Sequence, residues 1–142
     1  MPITGRVLRL AQFLTSGREQ QLAEFGLTVA DFDVLATLRR RAGTNPVNVR
    51  DLQHAMMLSS SGITKRLDRL ETAQLIERHP DPGDRRGVLI QLSPAGLDLI
   101  DRAVVAITVF ESGVVSGAIG SDEERLQLET GLRRMLIAYE RR

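Results

Sequence analysis

The chain has no cysteine, no tryptophan and one tyrosine among 142 residues. Without thiols it holds no disulfide, no zinc-thiolate site and no cysteine-based redox switch. With aromatics at 4% of residues, its core has to be packed from Leu, Ile, Val and Ala. Two histidines, with no clustered carboxylate-histidine spacing, give a metal no support, and no cofactor is expected. A long apolar run is missing as well. The longest, residues 103–119, is interrupted by Glu111, and the amino-terminal MPITGRVLRLAQF has no long apolar stretch with a small-residue cleavage site. The expectation is no membrane partner and a cytoplasmic location. Net charge is only +1, so total charge says nothing for or against nucleic acid.

What is present fits one soluble globular domain: 42% hydrophobic and 26% charged residues, in a chain long enough for one core but too short for two large domains. The charge is unevenly spread. Residues 36–93 hold ten Lys/Arg against six Asp/Glu, and the remainder is net acidic. A positive excess confined to one stretch marks a candidate nucleic-acid lobe.

Within that stretch, residues 58–92 carry the densest signal. Ser59, Ser60 and Ser61 offer helix caps, and Ile63, Leu67 and Leu70 follow at helical spacing, a single apolar stripe. The opposite face carries Ser60, Ser61, Thr64, Lys65, Asp68 and Arg69. Short hydroxyls on a first turn let backbone approach a duplex closely, and Lys65, Arg66 and Arg69 supply cations for phosphates or base edges. After Leu70 the period becomes alternating. Residues 75–79 and 88–92 read as two strands, joined by Pro80-Asp81-Pro82-Gly83-Asp84-Arg85-Arg86-Gly87, a stiff loop that presents charge. A groove-entering helix followed by a basic hairpin is a winged helix.

The flanking chain reads as helices. Ile3, Val7, Leu10, Leu14, Leu22 and Phe25 track one face, with Thr4 as a possible cap and Gly26 as a stop. Thr28 with Asp31 forms a capping-box-like pair ahead of Phe32, Val34, Leu35 and Leu38. That helix ends in Arg39-Arg40-Arg41, read as cations stabilised by the helix dipole rather than as phosphate contacts. Gly43-Thr44-Asn45-Pro46 breaks the chain, and Asn48 with Asp51 caps a short helix holding Leu52, Ala55 and Met56. His54 beside Asp51 and several serines does not make a hydrolase, because no G-x-S-x-G pattern exists and the serines read as caps. No catalytic residue is assigned. Ser93-Pro94 starts a long helix with Leu97, Ile100, Val104, Ile107, Phe110, Val114 and Ala118 on one face. At about 25 residues, roughly 38 Å, it exceeds what its own domain needs. Gly113 and Gly117 on it serve either close helix approach or nothing. Ser121 with Glu124 caps a last helix bearing Leu128, Leu132, Met135 or Leu136, and Tyr139, ending in Arg141-Arg142.

Through SSSGITKRLDRLE, LIERHPDPGDRRGVLIQLSPAG and LTVADFDVLATLRR the chain resembles the MarR family of winged helix-turn-helix transcriptional regulators over nearly its whole length. The family's Asp-x-Arg wing pair maps onto Asp84 and Arg86. Two positions depart from the family pattern: Gln74 and Met57 stand where it usually, or often, has glycine. The resemblance implies a mainly α fold with a small β-hairpin wing, a winged helix-turn-helix lobe over residues 27–93, and dimerisation helices at 1–26 and 94–142. It implies a homodimer on a palindromic double-stranded DNA operator, and a small aromatic ligand held between the dimerisation helices and the DNA-binding lobe, with the ligand residues unknown. Thiol-based peroxide sensing, found in some relatives, is excluded by the absence of cysteine.

The expected DNA-binding set is Ser59, Ser60, Ser61, Thr64, Lys65, Arg69, Asp84, Arg85 and Arg86. Lys65 is the candidate for a guanine edge, and Arg86 for insertion into a narrow minor groove. Asp84 is expected to hold the Arg86 side chain by charge-assisted hydrogen bonds. A winged helix used only as a protein-interaction module is the competing reading. It is disfavoured because such a helix would expose apolar anchors where this one carries Lys65 and Arg69.

Overall fold

A computed structural model describes residues 2–43 and 45–140. Thr44 of the expected chain break and the terminal Arg141-Arg142 pair lie outside the described residues. The chain divides into two compact units, Met1–Thr108 and Val109–Arg142.

The first unit contains α1 (Ile3–Ala23), α2 (Val29–Ala42), β1 (Val47–Asn48), α3 (Val49–Met56), α4 (Ser60–Thr72), β2 (Ile76–Pro80), β3 (Val88–Leu92) and the first part of α5 (Pro94–Ala118). The strands form an antiparallel sheet in the order β1-β3-β2. Ile76 faces Leu92 at one end of the hairpin and Pro80 faces Val88 at the other. The fold is the mainly helical one with a small β wing that the sequence implied. β1 is new: Val47 pairs with Ile90 and Asn48 with Leu89, but two residues are too few to show an alternating pattern.

The core is aliphatic, as the scarcity of aromatics required. Val34, Leu35 and Leu38 of α2, Leu52 of α3, Ile63, Leu67 and Leu70 of α4, and Ile76, Ile90 and Leu92 of the sheet are all buried. Leu22, Ile100, Ala103 and Ile107 belong to the same cluster, so the lobe's core draws on helices outside residues 27–93. The buried side of α5 runs through Ala103 rather than the expected Val104, which is 38% exposed. Of the expected α1 stripe only Leu22 is buried; Ile3, Val7 and Leu10 face solvent. The helix starts at Ile3 after an N-cap Pro2 that makes no side-chain cap bond, so Thr4 lies inside it.

Helix ends explain much of the layout. Thr28 and Asp31 form a complete capping box on α2. Asn48 accepts the Arg50 N–H at 2.9 Å, in place of the expected exchange with Asp51. Ser93 links three elements: its N–H donates to the Leu75 carbonyl (3.1 Å), its hydroxyl donates to the Gln74 carbonyl (2.7 Å), and Oγ accepts the Gly96 N–H (2.9 Å). A Cβ on Gly96 would lie 1.9 Å from the Leu75 carbonyl oxygen, so only glycine lets α5 begin this close to the start of β2. At the carboxyl end of α2, Arg39 forks onto Asp101 of α5, Nε to Oδ1 at 2.8 Å and Nη2 to Oδ2 at 3.2 Å. That hydrogen bonding holds the Asp101 carboxyl below the usual carboxylate range.

The second unit is the rest of α5 with α6 (Asp122–Glu140). Ser121 Oγ accepts the Glu124 N–H at 3.2 Å, and the Glu124 carboxylate reaches back to the Gly120 N–H at 3.1 Å, one residue beyond the N-cap N–H that a standard box would use. No residue of α6 is buried within one chain.

Three helices of the first unit stop in the same way. Leu27, Leu58 and Leu75 each return an N–H to a carbonyl five residues back, Leu22, Gln53 and Leu70, the Schellman arrangement. Each needs a left-handed residue just before it: Gly26 (φ 68°), Met57 (φ 51°) and Gln74 (φ 59°). The family's glycine positions are therefore two of the three left-handed turns, occupied here by residues that strain there. Met57→Gly and Gln74→Gly should each raise stability by roughly 0.5–1 kcal/mol, the left-handed penalty less the greater entropy glycine loses on folding. Urea unfolding checks this, with the midpoint moving up for each variant.

Candidate nucleic-acid interface

α3 and α4 are joined through Met57, Leu58 and Ser59, a helix-turn-helix, and α4 turns its apolar stripe inward as its spacing requires. Ser59 is the N-cap, its hydroxyl accepting the Gly62 N–H at 3.2 Å and lying 3.4 Å from the Ser61 hydroxyl. Ser60 Oγ accepts from Gln53 Nε2 of α3 at 3.2 Å, and Thr64 Oγ1 donates to the Ser60 carbonyl at 2.8 Å. The hydroxyls of the first turn are thus part of an ordered local network, and all four residues remain exposed. Gln53 was not anticipated from sequence; a single glutamine on a short helix carries no pattern that would mark it.

Cations on this lobe fall into two groups. Arg69 donates Nε to Asp31 Oδ1 at 3.0 Å and Nη2 to the same oxygen. The sequence placed Arg69 among free DNA-facing cations; the structure gives its guanidinium to a buried carboxylate of α2, which needs a cation to offset its desolvation. Arg78 of β2 bridges Asp68 and Glu71 of α4 at 2.7 and 2.6 Å. By contrast, among the described residues no carboxylate pairs with Lys65, Arg85 or Arg86, and all three are exposed.

The wing is held by two aspartates through backbone turns. Asp81 Oδ1 accepts the Gly83 N–H at 2.9 Å, its Oδ2 accepts Asn48 Nδ2 at 3.0 Å, and its own N–H donates to the Gly87 carbonyl at 3.1 Å. Asp84 Oδ1 accepts the Arg86 N–H at 2.9 Å. This corrects the expectation that Asp84 grips the Arg86 guanidinium: a short Asp side chain reaches the backbone two residues on more readily than a long side chain's end. The other Asp84 oxygen meets Arg50 Nη1 of α3 at 3.5 Å, a weak, exposed pair. Asp84 thus sets the backbone from which Arg86 projects and faces α3 across the wing base. Arg50 and Asp81 were missed. The Asp-Pro-Gly run around Asp81 is the signal that could have found the latter.

Between α3, α4 and the wing lies a cleft of about 440 Å³, lined among others by Asn48, Arg50, Thr64, Arg78 and Arg86. Arg50, Arg78 and Arg86 border it together with Asp68, which pairs with Arg78. Among the described residues no group of three or more His, Asp or Glu converges to hold a metal, and no single helix is long and apolar enough to cross a membrane.

A helix-turn-helix whose second helix exposes hydroxyls and an uncompensated lysine, followed by a hairpin with two uncompensated arginines at its tip, is a winged helix-turn-helix of the nucleic-acid-binding type. The MarR family's sequence profile matches residues 25–87. The chain is 35% identical over 135 residues to the HTH-type transcriptional regulator PecS of Dickeya dadantii, covering 95% of this chain and 80% of PecS. It is 31% identical to the HTH-type transcriptional repressor NicR of Pseudomonas putida, covering 96% and 84% respectively. A mutant MarR from E. coli, crystallised with operator DNA, superposes with a TM-score of 0.77 at 25% identity, covering 93% of this chain and 92% of that one. The chain belongs to the MarR family of transcriptional regulators.

Because the Asp81 carboxylate ties the wing loop to the Asn48 side chain, while the backbone pairing of Asn48 with Leu89 holds the strand below it, removing that carboxylate should loosen the tip without unfolding the lobe. Asp81→Ala should raise the rate of tryptic cleavage after Arg85 and Arg86 severalfold while the thermal midpoint falls only slightly. Equal cleavage rates would show that the hairpin holds its shape without that carboxylate.

Proposed function

We propose that the protein is a homodimeric, sequence-specific double-stranded DNA-binding transcriptional regulator, a cytoplasmic repressor released by a small aromatic ligand. The observation that carries the DNA-binding part is the division of cations: those that brace the lobe are paired, and those on the leading turn of α4 and the wing tip are not. In this reading Ser60, Ser61, Thr64 and Lys65 enter a major groove, with Ser59 holding the first turn. Arg85 and Arg86 reach the backbone and adjoining minor groove, whose negative potential favours a guanidinium. Repression is supported by the relationship to NicR, and ligand response by family membership.

Dimerisation is supported by apolar side chains that one copy leaves in water. α1 exposes Ile3, Leu8 and Phe13, and α6 exposes Leu126, Leu136 and Tyr139. Faces of this kind on both terminal helices are covered most economically by a second identical copy, which gives a two-fold reader for a palindromic site. Light scattering at micromolar concentration should return twice the chain mass. The duplex enriched by selection should hold half-sites about one turn apart, ~10 bp centre to centre. A monomeric mass would sink this arrangement.

The contact assignments separate by their response to sequence and salt. Lys65→Ala should relax preference at one base position at a cost of roughly 1–3 kcal/mol on the selected site. Arg86→Ala should weaken binding to all duplexes and flatten the salt dependence by about one unit of log-log slope. Asp84→Ala should also weaken binding, although it removes a negative charge. Anisotropy titrations over a salt series measure all three; tighter binding by Asp84→Ala, with fold and dimer intact, would contradict its role at the wing. Binding to no duplex at all would turn the reading toward a protein-interaction module.

A further inference from the structure

Asp31 has two tasks. Its Oδ2 accepts the Thr28 N–H at 3.2 Å and closes the capping box of α2, which needs no more than that one bond from the carboxylate. Its Oδ1 takes Nε and Nη2 of Arg69 from α4. The carboxylate is buried while the Arg69 side chain is 48% exposed, so Arg69 lies along the flank of α4 rather than in its core. A buried carboxylate deprived of its cation is costly, which keeps Arg69 drawn against α2 instead of free to swing toward a phosphate.

Arg69 stands one helical turn after Lys65, and on α4 the pair formed by Arg78 with Asp68 and Glu71 supplies a second ionic tie, this one to β2. The apolar stripe decides which side of α4 faces the core, but apolar contact is non-directional and permits some roll. A guanidinium on a carboxylate is directional and permits much less. Hydrogen bonds to base edges tolerate only a few tenths of an ångström, so the roll of α4 decides whether Lys65 and Thr64 meet them.

We propose that Asp31 is a positioning residue for base readout, acting through Arg69 to fix the roll of the recognition helix, and that Arg69 is spent on this tie rather than on DNA. The proposal rests on the DNA-binding function above. Selection from a random duplex library with the wild-type protein supplies a preferred duplex, and an unrelated duplex of equal length is its control. The variants are Asp31→Asn, which keeps an oxygen for the cap and removes the charge, and Arg69→Gln, which leaves the cap untouched. Each should lose about tenfold or more of the preferred-over-control affinity ratio, the worth of a good base contact. Affinity for the control duplex and the salt slope on it should stay at wild-type values, and the double variant should lose little more than either single one. General destabilisation lowers the active fraction for both duplexes alike and leaves the ratio unmoved. If Asp31→Asn does not fold, Arg69→Gln decides alone.

An unchanged ratio overturns the positioning role and leaves the function standing. So does an equal loss by Arg69→Gln on both duplexes with the slope reduced by about one, the mark of a phosphate contact, or tighter binding by Asp31→Asn. A wild-type protein that enriches no duplex overturns the function, and the positioning role with it.

Discussion

Burial of Ile63, Leu67 and Leu70 is the constraint on which the rest of the molecule depends. Each is withdrawn almost fully from water, worth roughly 1.5–3 kcal/mol apiece relative to exposure. Once these three point inward, helical geometry leaves Ser60, Ser61, Thr64 and Lys65 no option but to point outward. The surrounding elements supply the surface they bury against: Leu35 and Leu38 from α2, Leu52 from α3, Ile76 and Ile90 from the sheet, and Ile100 from α5. The core of the DNA-reading lobe therefore extends beyond residues 27–93, to Leu22 of α1 and to Ile100, Ala103 and Ile107 of α5, and the Arg39 fork on Asp101 adds a directional tie between α2 and α5.

Charge is arranged in two tiers on this frame. Exposed pairs such as Arg39 with Asp101 or Arg50 with Asp84 contribute little to stability in water, yet they fix direction where apolar packing does not. The buried Asp31 is different, because its carboxylate is withdrawn from water and Arg69 is the cation set against it. What is left over after the frame has taken its partners includes Lys65, Arg85 and Arg86, exposed cations with no carboxylate partner among the described residues, which a polyanion would find unneutralised.

Much of this was legible in the sequence, and the failures have physical causes. Apolar spacing placed α4, the hairpin and the long α5, and Thr28 with Asp31 announced a real capping box. Periodicity reports only one side of a helix, so it chose Val104 where a small residue, Ala103, lets α5 lie against the core. β1 escaped because two residues carry no period. The partners of Arg69 and Asp84 escaped because ion pairs 38 and 34 residues apart in the chain leave no local trace. Met57 and Gln74 were visible only as departures from a family habit. The backbone supplies the reason, a left-handed turn after each of two consecutive helices.

Hydroxyl-radical footprinting of the selected duplex tests most directly whether α4 reads a major groove while the wing lies along the neighbouring backbone and minor groove. The account predicts two protected blocks about one helical turn apart, each with an outer shoulder of minor-groove protection that disappears in Arg86→Ala while the inner protection persists. Uniform protection along the duplex, or shoulders unaffected by Arg86→Ala, would contradict it.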